Sequence, residues 1–473
     1  IASFTYGGLL SLFLLSRSDK KFSPPVLIFG LLISMLTVYS LQNIDIAWTW
    51  YIGIAVIVNL FIVHLLTLCI RMKTSILLLI IMLGTFSSMN KNTYKSGLDR
   101  LVIEDFNHLK NKNVGLIVNQ TSVDNEGVHL IKRFYSSDIK VIAIFAPEHG
   151  FKGTLGAGVN FENSIDTLTG AVIYSLYGKN KKPTSDMLKD IDILVFDIQD
   201  IGIRYYTYLS TLTHVLESAA LNDISILVLD RVNPLGRKIA GPILNYEYKS
   251  FVGMHTIPIR HGMSIGELAI MINEEGWLSE KLKADLMIFQ YTGKINDNVI
   301  KKTFIPHPSP NMPDYQTAWL YQGLCLLEGT NISEGRGTNK PFKVIGAPWL
   351  DSEKIYQELI RYNSNNDKFV VTEFIPNSIS AAKFPKYLDK KCFGFEIKHL
   401  DDPIAWTIRF LEIVYKLHPN EFKFLESNFI DKLFGSDKLK LNILNHGSIE
   451  KLISSFSLDQ QIFSDKRKKY LIY

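Results

Sequence analysis

The chain has 473 residues, 47% hydrophobic and 21% charged, with a formal net charge of +5 and three cysteines. That length exceeds one ordinary domain, so two or three units are expected. Residues 1–89 hold five basic side chains (Arg17, Lys20, Lys21, Arg71, Lys73) and two acids (Asp19, Asp45), leaving 46 basic and 44 acidic residues for the rest. Such a balance carries no basic footprint for nucleic acid.

The first 89 residues read as membrane. Val26 to Leu41 and Ile46 to Ile70 are apolar runs, the second long enough to cross a bilayer. Basic residues cluster at 17–21 and 71–73, which the positive-inside rule places in the cytoplasm, and Trp48, Trp50 and Tyr51 suit an interfacial aromatic belt. Through Ile46-Ala47-Trp48-Thr49-Trp50-Tyr51, residues 1–71 resemble the last helices of a sodium/solute symporter. Residues 72–89 are a different object. Met72-Lys73, a short apolar core from Ile76 to Leu83 and the small residues Thr85 to Ser88 form a signal-peptide-like or membrane-anchor segment. In either case the body beyond it is expected to be exported to the bacterial envelope (the periplasm), tethered to the membrane through residues 1–89 unless cleaved or separately translated.

From Val114 short apolar runs alternate with helical patterns. Val114 to Val118, Val141 to Phe145, Ile191 to Phe196 and Ile224 to Leu229 read as buried strands. Between them Glu126 to Tyr135 and Tyr205 to Leu221 have helical spacing. The alternation predicts an α/β fold with a mainly parallel sheet over residues 97–313. A smaller α+β unit is expected over residues 314–473. Its strands are Phe369 to Phe374 and Phe393 to Ile397, and its helix is Ala405 to Leu417.

Each strand of the first unit ends in hydrogen-bonding residues. The first is followed by Asn119, the second by Glu148 and His149, the third by Gln199, Asp200 and Arg204, the fourth by Asp230 and Asn233. Ligands of open α/β sheets bind outside the carboxyl ends of the strands, so four such tips together describe the rim of one cleft. The proline-rich stretch Pro306 to Pro313, with Asn311, is expected to border it.

Several chemistries lack their pattern. Gly153, Gly156 and Gly158 have the wrong order for a dinucleotide fingerprint, and no CxxC, HExxH or Cys/His spacing suggests a metal. No cofactor is expected. Gly262-Met263-Ser264-Ile265-Gly266 matches a serine nucleophile elbow, but Ser264 with Glu267 is also a capping box, and the cap is preferred. A serine esterase using Ser264 therefore stays as an alternative, beside a non-catalytic wall-binding or transporter-accessory role suggested by residues 1–71. Two carboxylates stand out, Glu148 after a buried strand and Glu334 in a glycine-rich loop beside Arg336. A carboxyl pair at a dry cleft suits glycosidic cleavage, one donating a proton while the other attacks or stabilises an oxocarbenium-like centre. Arg204 and Arg336 are the candidates to grip an anionic substituent, the alternative for Arg204 being a salt bridge to Asp200.

Longer motifs carry a family resemblance. They are Ala146-Pro147-Glu148-His149-Gly150, Tyr174 to Gly178, the run Asp197 to Tyr208 that includes Tyr206, Asp230 to Gly236, Pro308 to Pro313, and Glu328 to Thr338. From about Gly97 to Tyr473 the chain resembles the NamZ-type exo-β-N-acetylmuramidases. Val232 and Ser264 depart mildly from the family pattern. The resemblance implies a Rossmann-like amino-terminal domain, a smaller carboxy-terminal domain and an active site between them. It also implies release of N-acetylmuramic acid from the non-reducing end of peptidoglycan fragments, with Glu148 as catalytic acid. The lactyl carboxylate of that sugar would be the anion for Arg204 or Arg336.

Overall fold

Val114–Val118 is buried at every residue, which explains its unbroken apolar character: a strand covered on both faces has no solvent side for polar residues. The computed structural model describes residues 2–41, 49–71, 93–156, 158–159, 162–178, 180–362 and 367–473. In it this strand, β1, is followed in chain order by β2 (Val141–Ala146), β3 (Ser164–Ile165), β4 (Val172–Ser175), β5 (Ile193–Asp197) and β6 (Ser225–Leu229). Next come β7 (Ala240–Ile243), β8 (Pro258–Arg260) and β9 (Leu286–Phe289). Seven of these form one sheet in the order β3-β4-β2-β1-β5-β6-β9, with β7 and β8 paired separately. Every neighbouring pair of the large sheet is parallel except β3 with β4.

The chain runs outward from β1 through β2 to β4, then returns to the other side of β1 for β5. That reversal opens a crevice at the carboxyl ends of the central strands, where neighbouring loops leave in opposite directions. Both faces are covered. Leu116 and Val118 of β1 pack with Leu98, Leu130 and Phe134, while Ile117 packs with Phe145, Phe196, Leu209 and Leu212 on the opposite side. The predicted helix at 205–221 begins at Tyr208, and the one expected from Glu126 begins at Leu130 with His129 as its cap.

The smaller carboxy-terminal domain is built on β10 (Val344–Ala347), β11 (Lys368–Phe374) and β12 (Cys392–His399), an antiparallel sheet in the order β10-β12-β11. The helix Pro403–Leu417 starts two residues earlier than its apolar pattern suggested. Asp402 caps it and Pro403 fills the first turn, where a missing N–H costs nothing. Its Trp406 and Phe410 rings meet Phe369 and Phe395 edge-on, at 5.4 and 6.1 Å. Both domains belong to one compact unit, residues 92–473, with a continuous core. Cys325 and Cys392 are buried and unpaired.

Residues 1–91 form a separate unit. Its described helices are Ala2–Ser16, Pro24–Leu41 and Thr49–Arg71. The last is long and apolar enough to cross a membrane, through Trp50–Leu68; Pro24–Ser40 is apolar but shorter. Asn59 donates to Ser11 across 2.6 Å, joining two of them. The signal-like stretch 72–89 lies outside the described residues.

Candidate active site

Strand β2 ends at Pro147, which cannot extend the ladder, and the chain turns sharply at His149 (φ +74°) and Gly150 (φ +75°). The left-handed conformation is easy for glycine but unfavourable for histidine. At His149 it is held by the imidazole, whose Nδ1 donates to the Leu155 carbonyl at 2.7 Å. A carbonyl oxygen only accepts, so Nδ1 carries the proton. Burial lowers the pKa of this ring, against the opposing pull of Glu148. The imidazole is therefore neutral, with the Nε2 lone pair as an acceptor.

Glu148 is 8% exposed. Its Oε2 accepts from the Thr207 hydroxyl at 2.7 Å and its Oε1 from the Gly158 backbone N–H at 3.2 Å. The Tyr177 hydroxyl faces the same carboxyl; burial and then the Glu148 charge raise the phenol's pKa. These groups line a cavity of about 440 Å³, together with Tyr206, Asn311 and Arg336. The Tyr206 hydroxyl is buried and closes no well-formed hydrogen bond, although Ser309 and Tyr208 approach it. Buried polar groups are nearly always partnered, so a phenol left open on a cavity wall is available to a ligand.

Several predicted residues stand elsewhere, which corrects their assignment. Arg204 is not an anion clamp. It is 1% exposed, and its two terminal nitrogens donate to the carbonyls of Pro242, Ile257, Leu433 and Phe434, all within 2.9 Å. Nor does it pair with Asp200. Glu334 is also absent from the cavity wall. It is 4% exposed, with Lys386 Nζ at 3.0 Å and Arg336 Nε at 3.4 Å. Burial pushes its pKa up, but the two cations outweigh that and hold it low. The carboxylate that does reach the wall with Arg336 is Glu328, at 2.9 Å.

The other strand-tip residues turn inward because the chain reversals behind them bury backbone groups that need partners. Asn119 accepts from the Thr121 N–H and hydroxyl; Gln199 donates to the Asp200 and Val232 carbonyls; Asn233 bridges Leu235 N–H and Met263 O. Asp200 accepts from Gly202 N–H at 2.6 Å, and burial raises its pKa to about 7. Asp230 accepts from the Ser264 and Tyr473 hydroxyls at 2.6 and 2.7 Å, and burial raises it to about 6. None of these five lines the cavity. Ser264 is a helix cap, its Oγ accepting from Glu267 N–H while Glu267 returns to Ser264 N–H. It is 2% exposed and stands away from the cavity, which removes the esterase reading.

Pocket residues not singled out from sequence include Tyr177, Lys181, Thr207, Tyr208, Ser309 and Glu328. Tyr177, Thr207, Tyr208, Ser309 and Glu328 lay inside quoted motifs, where nothing in the local pattern singled them out. Among the described residues no group of three or more metal-ligating side chains is assembled.

Models of the exo-β-N-acetylmuramidase NamZ N-terminal and C-terminal domains match residues 114–316 and 319–473. The chain belongs to the NamZ family. It is 40% identical over 392 residues to the peptidoglycan β-N-acetylmuramidase NamZ of Bacillus subtilis (strain 168), covering 81% of this chain and 92% of that protein. Two solved structures of DUF1343 family proteins from Bacteroides fragilis NCTC 9343 share the fold. Their TM-scores are 0.72 and 0.67 at 31% and 34% identity, each covering 80% of this chain and 99% of theirs.

Proposed function

We infer that this member of the NamZ family is a glycoside hydrolase, an exo-β-N-acetylmuramidase that removes N-acetylmuramic acid from the non-reducing end of peptidoglycan fragments. The observation that carries the mechanism is the Glu148 carboxyl, barely exposed at the tip of β2 and facing a cavity large enough for a sugar. Glu148 gives its proton to the glycosidic oxygen as the C1–O bond breaks. Thr207 and Gly158 fix the carboxyl's direction, since proton transfer demands hydrogen-bond geometry before it demands a matched pKa.

With Glu334 bound to Lys386 and Glu328 tied to Arg336, the nucleophile we assign is the substrate's own acetamido oxygen. Internal attack of this kind is a recognised exception to the two-carboxylate scheme. The oxygen bonds to C1, the leaving group departs with the proton from Glu148, and an oxazolinium ring remains. Water then attacks C1 and yields its proton to Glu148, releasing the sugar with its configuration retained. Replacing Glu148→Gln should abolish release of N-acetylmuramic acid from a chromogenic β-glycoside while the fold survives. Proton NMR of the first turnovers should show the β-anomer; an initial α-anomer would exclude the internal nucleophile.

We further propose that the body is exported, with residues 1–71 as a membrane-embedded segment of symporter-like origin. The apolar stretch Trp50–Leu68 supports this. Carbonate extraction of membranes and protease shaving of intact spheroplasts test it: a soluble, protected protein would refute it.

A further inference from the structure

We propose that Lys181 reads the lactyl carboxylate of the terminal sugar, and so selects N-acetylmuramic acid over N-acetylglucosamine, which lacks that group. The inference rests on the muramidase reading above and concerns which residue enforces its specificity.

It begins with the charges on the cavity wall. Among the described residues lining it, the cations are Lys181 and Arg336. Arg336 is already matched, with Glu328 at 2.9 Å and Glu334 at 3.4 Å. Arg204, the other candidate from sequence, spends its donors on four backbone carbonyls behind the cavity. That leaves Lys181.

The described residues around it offer an aromatic face and no paired carboxylate. The next residue, Lys182, pairs with Glu217 at 3.1 Å and so ties this segment to the helix Tyr208–Leu221. Lys181 takes the opposite course, its Nζ lying 4.8 Å from the centroid of Phe251. Phe251 in turn stacks on His214, with centroids 6.1 Å apart and planes 12° apart, and lies 6.2 Å from Tyr177, the phenol that faces Glu148. An aromatic face attracts an ammonium electrostatically yet accepts none of its N–H bonds in the ordinary sense, so all three donors stay available. A lysine salt-bridged to a carboxylate would repel the substrate's acid or have to be unpaired first. This one is exposed on the pocket lining and has no salt-bridged carboxylate among the described residues.

The test uses the full chain and three β-glycosides with the same chromogenic leaving group. They are the N-acetylmuramic acid glycoside, the same compound with its lactyl carboxylate capped as the methylamide, and the N-acetylglucosamine glycoside. Lys181→Met should lower kcat/KM for the free acid about two- to fivefold, as expected for one exposed ion pair. It should leave the methylamide and the N-acetylglucosamine compound unchanged, and Lys181→Arg should restore most of the preference. An equal loss on all three, or no loss on the acid, overturns the proposal. Wild-type turnover of the acid combined with indifference to Lys181 sinks this inference alone. Failure of the wild type to release N-acetylmuramic acid sinks the muramidase reading, and this inference with it.

Discussion

The Thr207 hydroxyl donates to Glu148 and accepts no N–H from its own helix. It occupies the cap position of Tyr208–Leu221, yet makes no side-chain capping bond, and its Oγ1 lies 2.7 Å from Glu148 Oε2. A threonine cap ordinarily contributes about 1 kcal/mol to a helix. Here that contribution is absent and the donor orients the Glu148 carboxyl. Thr207→Val should therefore leave thermal stability nearly unaltered while lowering kcat about tenfold or more, with Thr207→Ser retaining most activity. A drop in melting temperature with unchanged kcat per folded molecule would show that the hydroxyl serves the helix after all.

Arg204 is the latch between the sheet domain and the C-terminal helices. Its guanidinium binds two carbonyls, of Pro242 and Ile257, near the β7–β8 ribbon and two more, of Leu433 and Phe434, from the C-terminal domain. Gly435 leaves room for it, since a Cβ there would stand 2.9 Å from an Arg204 nitrogen. Arg204→Met strands four buried acceptors and should cost about 3 to 5 kcal/mol, measured by chemical denaturation. A stable variant with only a raised KM would return Arg204 to the substrate.

Glu334 is expected to behave as a structural anion. Lys386 Nζ is also bound by the Leu327 and Ile332 carbonyls, so this ammonium is committed to the loop that carries Arg336. Glu334→Gln leaves it without its countercharge and should destabilise the protein by about 2 to 4 kcal/mol. Turnover per folded molecule should stay within a few-fold of wild type; loss comparable to that of Glu148→Gln would restore Glu334 to the chemistry.

Acid should weaken the fold through histidines buried in neutral form. Burial lowers the pKa of both His255 and His261 from 6.5 to about 3, His261 being further disfavoured as a cation by Arg467 and Arg204. His255 stacks on Trp277, 4.9 Å away, and His261 is fully buried. A depressed folded-state pKa means that the unfolded chain binds the proton first. The stability that each neutral ring contributes is complete above about 6.5 and lost as pH falls toward 3. Melting temperature measured from pH 7.5 to pH 4 should decline steadily, and His261→Asn should flatten the slope even if it lowers stability at neutral pH. Parallel slopes would mean that other groups control acid unfolding.

Local pattern determined the parts of this protein that depend on neighbours in the chain. A short apolar run such as Val114–Val118 reads as a doubly covered strand, and it is one. Pro147 after β2 ends the ladder and puts Glu148 at its tip, and Ser264 with Glu267 caps a helix whatever the fold. Short strands such as Leu286–Phe289 and Val344–Ala347 escaped because four residues hold too little pattern, and it is the neighbouring strand that gives them their place. The division of polar residues between cavity and interior was decided only by tertiary structure. Arg204 and Arg336 are alike as letters, but one meets four orphan carbonyls from distant segments and the other meets Glu328 at the cavity wall. Which buried group needs a partner depends on what the fold brings within 3 Å, and that distance is not written in any stretch of sequence.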